Sequence, residues 1–242
     1  MSETLWTLYE QGQLNKNVYH SISNDSYHNG PGISSSQIKK AINQSAGHAL
    51  FKSESKTTPA MAFGTAFHTY AMEPEKFNAS SIKPADFEII LKMTNNLFSH
   101  KLASEIMFDS QHELSFYSKH QETGLLLKAR VDGINKKNVI WDLKTCNSAS
   151  KPDFTYDARY YDYAISAAHY LNVCGSVLDE VLTDFYLIAC EKVAPYQVAV
   201  YKVSATSLFA ANQKIDKALK DLKSQYENPK SFQFDTIQEI DI

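Results

Sequence analysis

Residues 125–145 read LLLKARVDGINKKNVIWDLKT, and the way this stretch divides decides the fold. Alternation puts Leu127, Ala129 and Val131 on one face of a first strand and Lys128, Arg130 and Asp132 on the other. The turn is Asn135-Lys136-Lys137-Asn138, made of residues that tolerate turn geometry. In a second strand Val139, Trp141 and Leu143 share one face, and Ile140, Asp142 and Lys144 share the other. A hairpin pivoting near Lys136 and Lys137 pairs Asp132 with Trp141 or with Asp142, depending on register. Cross-strand neighbours lie roughly 4.5–5.5 Å apart at Cβ. In one register Asp132, Asp142 and Lys144 therefore converge. Two carboxylates that close repel each other unless a divalent cation sits between them, and a lysine beside that cation can stabilise a developing oxyanion or help deprotonate a water. The competing reading is an ordinary hairpin with a solvated polar face.

The chain of 242 residues is long enough for one domain with a substantial core. No apolar run approaches the roughly 18–20 residues that span a bilayer, and residues 1–16 lack the charged start and apolar block of a signal peptide. Cys146, Cys174 and Cys190 form no CxxC pair, which argues against a zinc or iron–sulfur cluster and for reduced thiols in a cytoplasmic protein. Net charge is −3, and the acidic residues of the tail at 231–242 (Asp235, Glu239 and Asp241) account for it. This excludes a protein coated in positive charge for nucleic acid, but it permits a focused basic groove.

Taken in order, residues 1–58 are expected to form an irregular and helical N-terminal segment. Tyr19-His20 and Tyr27-His28 are candidate anchors, a helix is expected over 36–52 after a cap in Ser34–Ser36, and a polar loop over 53–58. Pro59 opens a helix to about Met72 whose nearly all-apolar sequence predicts burial, with Gly64 and Ala66 allowing close approach. His68 on that helix reads either as a hydrogen-bonded core histidine or as a ligand. One or two helices follow over 85–107, then a strand over 112–118. After the hairpin comes a tyrosine-rich stretch leading to a helix by 174, strands over 181–190 and 196–203, and a last helix capped by Ser204 or Ser207. Its apolar stripe is Leu208, Ala211, Ile215, Leu219, Leu222 and Tyr226. This order predicts an α/β fold with a central mixed sheet flanked by helices.

Several ordered motifs resemble the PD-(D/E)XK nuclease superfamily, and within it the exonuclease VIII (RecE-type) nucleases of phages and prophages. They are Tyr27-His28 with Ile33-Ser34, Pro59-Ala60-Met61 with Gly64-Thr65-Ala66-Phe67-His68 and Glu73-Pro74, Thr123-Gly124-Leu125 with Lys128-Ala129-Arg130-Val131-Asp132, Trp141-Asp142-Leu143-Lys144-Thr145, and Tyr160 to Tyr170. The resemblance implies a restriction-endonuclease-like core over 59–230, metal ligation by His68, Asp132 and Asp142, and a catalytic role for Lys144. Glu113 falls where such proteins often carry an acid near the site; it reads equally as a strand-surface glutamate. Lys128 and Arg130 could hold phosphates or simply be solvated. Ser166 stands where relatives commonly have a glutamine, four residues before the tyrosine equivalent to Tyr170, which puts efficiency or substrate geometry in question. Val131 replaces the usual proline.

The implied activity is a Mg²⁺- or Mn²⁺-dependent DNA exonuclease that digests linear duplex from its ends, 5′ to 3′, in phage-type recombination. The implied assembly is a trimeric or tetrameric ring with a single-strand annealing protein as partner. The alternatives are a structure-specific or RecB-like repair or defence nuclease, and an inactive member kept as a binding module.

Overall fold

The computed structural model describes residues 17–19, 22–51 and 57–229. The acidic tail, His20 and most of the loop expected at 53–58 lie outside them. Six strands, β1 (Asn17–Tyr19), β2 (Ser110–Lys119), β3 (Leu126–Asn135), β4 (Ile140–Cys146), β5 (Phe185–Glu191) and β6 (Val198–Lys202), lie side by side in that order. All neighbours are antiparallel except β4 and β5, which are parallel. A parallel neighbour requires a crossover rather than a hairpin. Helices α7 and α8 supply it, completing the series α1 (Asn24–Asn29), α2 (Ser35–Asn43), α3 (Ala46–Leu50), α4 (Pro59–Met72), α5 (Pro84–Ser99), α6 (Lys101–Met107), α7 (Lys151–Tyr160), α8 (Tyr163–Leu178) and α9 (Ala205–Glu227).

Two apolar layers cover the sheet. On one face Ile38 of α2, Ile165, Ala168 and Leu171 of α8, and Leu208, Ile215 and Leu219 of α9 pack on Leu127, Ala129, Ile140 and Leu187. On the other, Phe67 of α4, Ile90, Met93 and Leu97 of α5, and Met107 of α6 pack on Trp141, Leu143 and Ile188. The mixed α/β sheet read from the sequence is the fold. None of the described helices is long and apolar enough to cross a membrane.

The departures have local causes. The helix expected over 36–52 is two helices. Ser34 and Gln37 form a capping box at the first, and the Ser45 hydroxyl starts the second by accepting the His48 N–H. The span 85–107 breaks at His100, whose Nδ1 accepts the Ala103 N–H at 3.2 Å. The tyrosine-rich stretch is itself helical, opened by Ser150 and Pro152. In α9 the cap is Ser204, and the stripe is buried except for Tyr226, which is exposed.

Helix α4 is the largest departure. Its apolar sequence predicted burial, yet residues 59–62 are exposed and only Phe67 and Met72 are fully buried. The helix meets the sheet along its later turns, where Gly64 lies against Thr145 of β4 (an added Cβ would sit 3.7 Å from Thr145 Oγ1). Composition reports how apolar a helix is, and the surface beneath it decides how much is covered.

Candidate active site

The site begins where β3 and β4 part. Their ladder pairs Ile134 with Ile140 and Gly133 with Trp141, the register that sets Asp132 opposite Asp142. Gly133 is required there: a Cβ on it would lie 2.1 Å from Trp141 Cζ2. The indole, covered by Gly133 and donating to Ser110 Oγ at 3.0 Å, fixes the strand crossing. The backbone ladder then stops. In place of a strand carbonyl, Asp132 Oδ2 accepts the Leu143 N–H at 2.8 Å.

The same point is bent on the other side of β3. The β2–β3 ladder joins His112 to Gly133 and Leu114 to Val131 but skips Glu113 and Asp132. Glu113 has φ 54°, a left-handed backbone inside a strand. Residues two apart on a strand normally share a face. Here Val131 packs in one apolar layer while Gly133 faces Trp141 in the other. The bend turns Glu113 and Asp132 into one cleft of about 820 Å³, which Asn24 and His28 of α1, Thr65, His68 and Thr69 of α4, and Tyr170 also line.

His68, Glu113 and Asp132 each present a ligand-type atom within 4.8 Å of the other two. His68 Nδ1 lies 3.5 Å from Asp132 Oδ2. Burial, reinforced by the Lys144 charge, lowers the His68 pKa to about 4, so the imidazole is neutral and free to donate a lone pair. Burial raises Glu113, though Arg130 opposes it by donating from Nε to Glu113 Oε2 at 2.8 Å. Burial also raises Asp132. Asp142 is pushed to about 6 by burial and then by the Asp132 charge, and it is paired with the ammonium of Lys144. Burial works against the Lys144 charge, but Asp142 and Asp132 outweigh it and raise its pKa. Lys144 Nζ also stands 5.3 Å from the centre of the Tyr163 ring.

Among the described residues the structure thus gathers His68, Glu113 and Asp132 as a trio of donors, with Asp142 alongside, its Oδ2 paired with Lys144 and its carboxyl in contact with Asp132. Lys128 is elsewhere. It is 3% exposed, and its ammonium donates to the Tyr27 and Gly30 carbonyls at 2.7 and 2.8 Å. Segment 27–30 covers the face of β3 that alternation left to solvent, so Lys128 ties that segment down rather than facing a phosphate. Arg130 lines the cleft: Nε binds Glu113 and Nη2 the Ile22 carbonyl at 2.8 Å, while its buried Nη1 has no hydrogen-bond partner among the described residues. Ser166 is partly buried on α8, one turn from both Tyr163 and Tyr170. The sequence reading left out Tyr163 and Lys39. Lys39 donates to the Tyr161 carbonyl at 2.8 Å and is held at about 8 by burial and then by Lys144. Its only sequence signal was a place among the polar residues of a capped helix.

The family model of a PDDEXK-like domain of unknown function (DUF3799) matches residues 34–231. Among solved structures, the chain is similar to a "Putative exonuclease" from Eubacterium rectale, with a TM-score of 0.65 at 18% identity, covering 84% of this chain and 87% of that one. A structure described as SSO0001 aligns at a TM-score of 0.32 and 15% identity, covering 79% and 88%. No curated protein matches.

Proposed function

We propose that this chain, which belongs to the PDDEXK-like domain family, is a divalent-metal-dependent nuclease acting on DNA. One observation carries the reading: His68, Glu113 and Asp132 present their donor atoms within 4.8 Å of one another, beside an Asp142–Lys144 pair. The donor set fits a cation. A neutral imidazole and carboxylates whose pKa values are raised by burial form a site that added positive charge would relieve. His68, Glu113 and Asp132 would hold the ion, and Asp142 lies next to them. Carboxylate donors suit Mg²⁺, and the histidine extends the choice to Mn²⁺. Such an ion supplies Lewis-acid charge to a phosphodiester and acidifies water.

The chain's own residues divide the remaining work. Arg130 orients Glu113. Asp132 joins the donor set to the backbone of β4 through Leu143. Lys144, its pKa raised by Asp142 and Asp132 against the effect of burial, is a positive charge placed to stabilise the developing oxyanion. Tyr170 walls the cleft, and Ser166 stands one turn away where a longer amide would reach further.

The finer reading is an exonuclease that digests linear duplex from its ends, 5′ to 3′, as a ring of three or four subunits beside an annealing partner. The motif resemblance supports it. So does the charge balance, since a chain with no excess of cations grips DNA best where its Lys and Arg are concentrated on an inner surface. Incubation with linear and covalently closed duplex DNA, in Mg²⁺, Mn²⁺ or EDTA, tests both levels. Loss of linear DNA only, and only with metal, is the expected result. Cleavage in EDTA would end the metal reading, and circles nicked as fast as linear DNA is trimmed would end the end-directed one.

A further inference from the structure

Four tyrosines form a continuous run of rings outside the donor site. Tyr156 and Tyr160, one turn apart on α7, lie nearly parallel with centroids 6.4 Å apart and 14° between planes. Tyr160 meets Tyr161 edge-on at 5.0 Å, and Tyr161 stacks on Tyr163 at 5.8 Å and 18°. Tyr163 then lies under Lys144 at 5.3 Å, with Lys39 at 5.8 Å from the same ring. The outer rings are left in water: Tyr156 is 69% exposed, Tyr160 70% and Tyr161 53%. Exposed aromatics scattered singly need no explanation, but four in contact, ending at a catalytic lysine, do.

The flank of the run suggests the partner. A groove beside Tyr163 is lined by Lys151, Arg159, Lys202 and Lys214, with Asp162 as the one acid among the described lining residues. Lys202 is partly neutralised by Asp184 at 2.7 Å, which leaves Lys151, Arg159 and Lys214 to attract phosphates. Flat rings for bases beside cations for phosphates are the two components of single-strand recognition without sequence preference. A protein partner would use the rings but would have no need of the cations.

We infer that Tyr156, Tyr160, Tyr161 and Tyr163 form a stacking track for the unpaired bases of a nucleic-acid strand, leading from solvent to the Lys144 side of the site. The nuclease reading supplies the substrate class. The track adds a path by which a frayed or single-stranded end is held in line, with bases on the rings and phosphates along the groove.

Binding of a fluorescein-labelled oligo(dT) of twenty nucleotides, in EDTA so that nothing is cleaved, tests this without requiring catalysis. Fluorescence anisotropy on the full chain should give saturable binding. Tyr156→Ala/Tyr160→Ala should weaken it about tenfold or more, and Tyr156→Phe/Tyr160→Phe should keep it, because stacking needs the ring and not the hydroxyl. Both positions are exposed, and circular dichroism checks that the variants fold. No binding by the unaltered chain, equal binding by all three proteins, or an alanine variant whose only change is its oligomeric state on light scattering would each overturn the inference. Cleavage of linear duplex by the same proteins is read separately: binding without cleavage sinks the nuclease reading alone, and cleavage without oligo(dT) binding sinks the track alone.

Discussion

Asp132 Oδ2 accepts the Leu143 N–H at 2.8 Å, across the gap where the β3–β4 ladder has ended. One side chain is therefore both a donor for a cation and the replacement for a missing backbone bond. The two jobs separate by substitution. Asp132→Asn keeps an oxygen for Leu143 and removes the charge, whereas Asp132→Ala leaves a partly buried N–H unpaired at a cost of about 1–3 kcal/mol. Both variants should lose cleavage. In thermal melts the asparagine variant should sit several degrees above the alanine one. Identical melting temperatures would show that the Leu143 bond contributes nothing.

Mn²⁺ or Mg²⁺ should raise the melting temperature of the unaltered chain, by about 2.7 kcal/mol of stabilisation at a hundredfold excess over Kd. His68→Ala and Glu113→Gln should abolish that rise. Asp142→Asn should only reduce it, since Asp142 stands beside the trio of donors and gives its Oδ2 to Lys144. The opposite ranking, with Glu113→Gln responding normally and Asp142→Asn not at all, would restore the ligand set of His68, Asp132 and Asp142.

Gly133→Ala should be among the most damaging single changes in the sheet, because its methyl would lie 2.1 Å from a fully buried indole. Overpacking of this kind costs roughly 1–3 kcal/mol or more. Adding Trp141→Leu should recover part of the loss in denaturant titrations. A Gly133→Ala chain as stable as the parent would mean that the indole is not held there.

His169, outside the trio of donors, gives the pH prediction. It is wholly buried, its Nε2–H donates to the Lys128 carbonyl at 2.9 Å, and burial lowers its pKa to about 4. Between that value and the ordinary 6.5 the unfolded chain binds the proton and the folded chain does not, so stability rises with pH across this window and is lost as pH falls through it. The effect is on the order of 3 kcal/mol. Equilibrium unfolding at pH 7 and pH 5 should therefore show a larger drop for the parent than for His169→Gln, which keeps a donor for Lys128. Parallel pH dependence in the two proteins would contradict this.

Lys128 separates fold from substrate contact. Lys128→Met should lower thermal stability, because it strips the ammonium from two carbonyls in segment 27–30. The salt dependence of oligo(dT) binding should stay unchanged, and a slope shallower by about one would instead place Lys128 on a phosphate.

The hairpin was legible because alternation, turn chemistry and strand length agree over 125–145, and Ser34, Pro59 and Ser204 begin helices for plain capping reasons. Lys128 was not legible: an i, i+2 polar row reads the same whether water or a carbonyl-bearing segment lies on it. Helix α4 misled because apolar composition does not report what lies beneath. At Glu113 no residue type announces a left-handed turn inside a strand, so its approach to His68 and Asp132 had to come from a resemblance rather than from spacing. Tyr163 was in view as one of several tyrosines, but nothing in the spacing linked it to Lys144.

The left-handed backbone at Glu113 sets two terms of stability against each other. An L-residue in that conformation gives up roughly 1–2 kcal/mol that glycine would not. Glycine or asparagine would relieve that backbone cost but would also strip Arg130 of the carboxylate it holds at 2.8 Å, so a library ranked by heat resistance weighs one loss against the other. The bent strand is therefore held in part by the same ion pair that aims the carboxylate into the cleft.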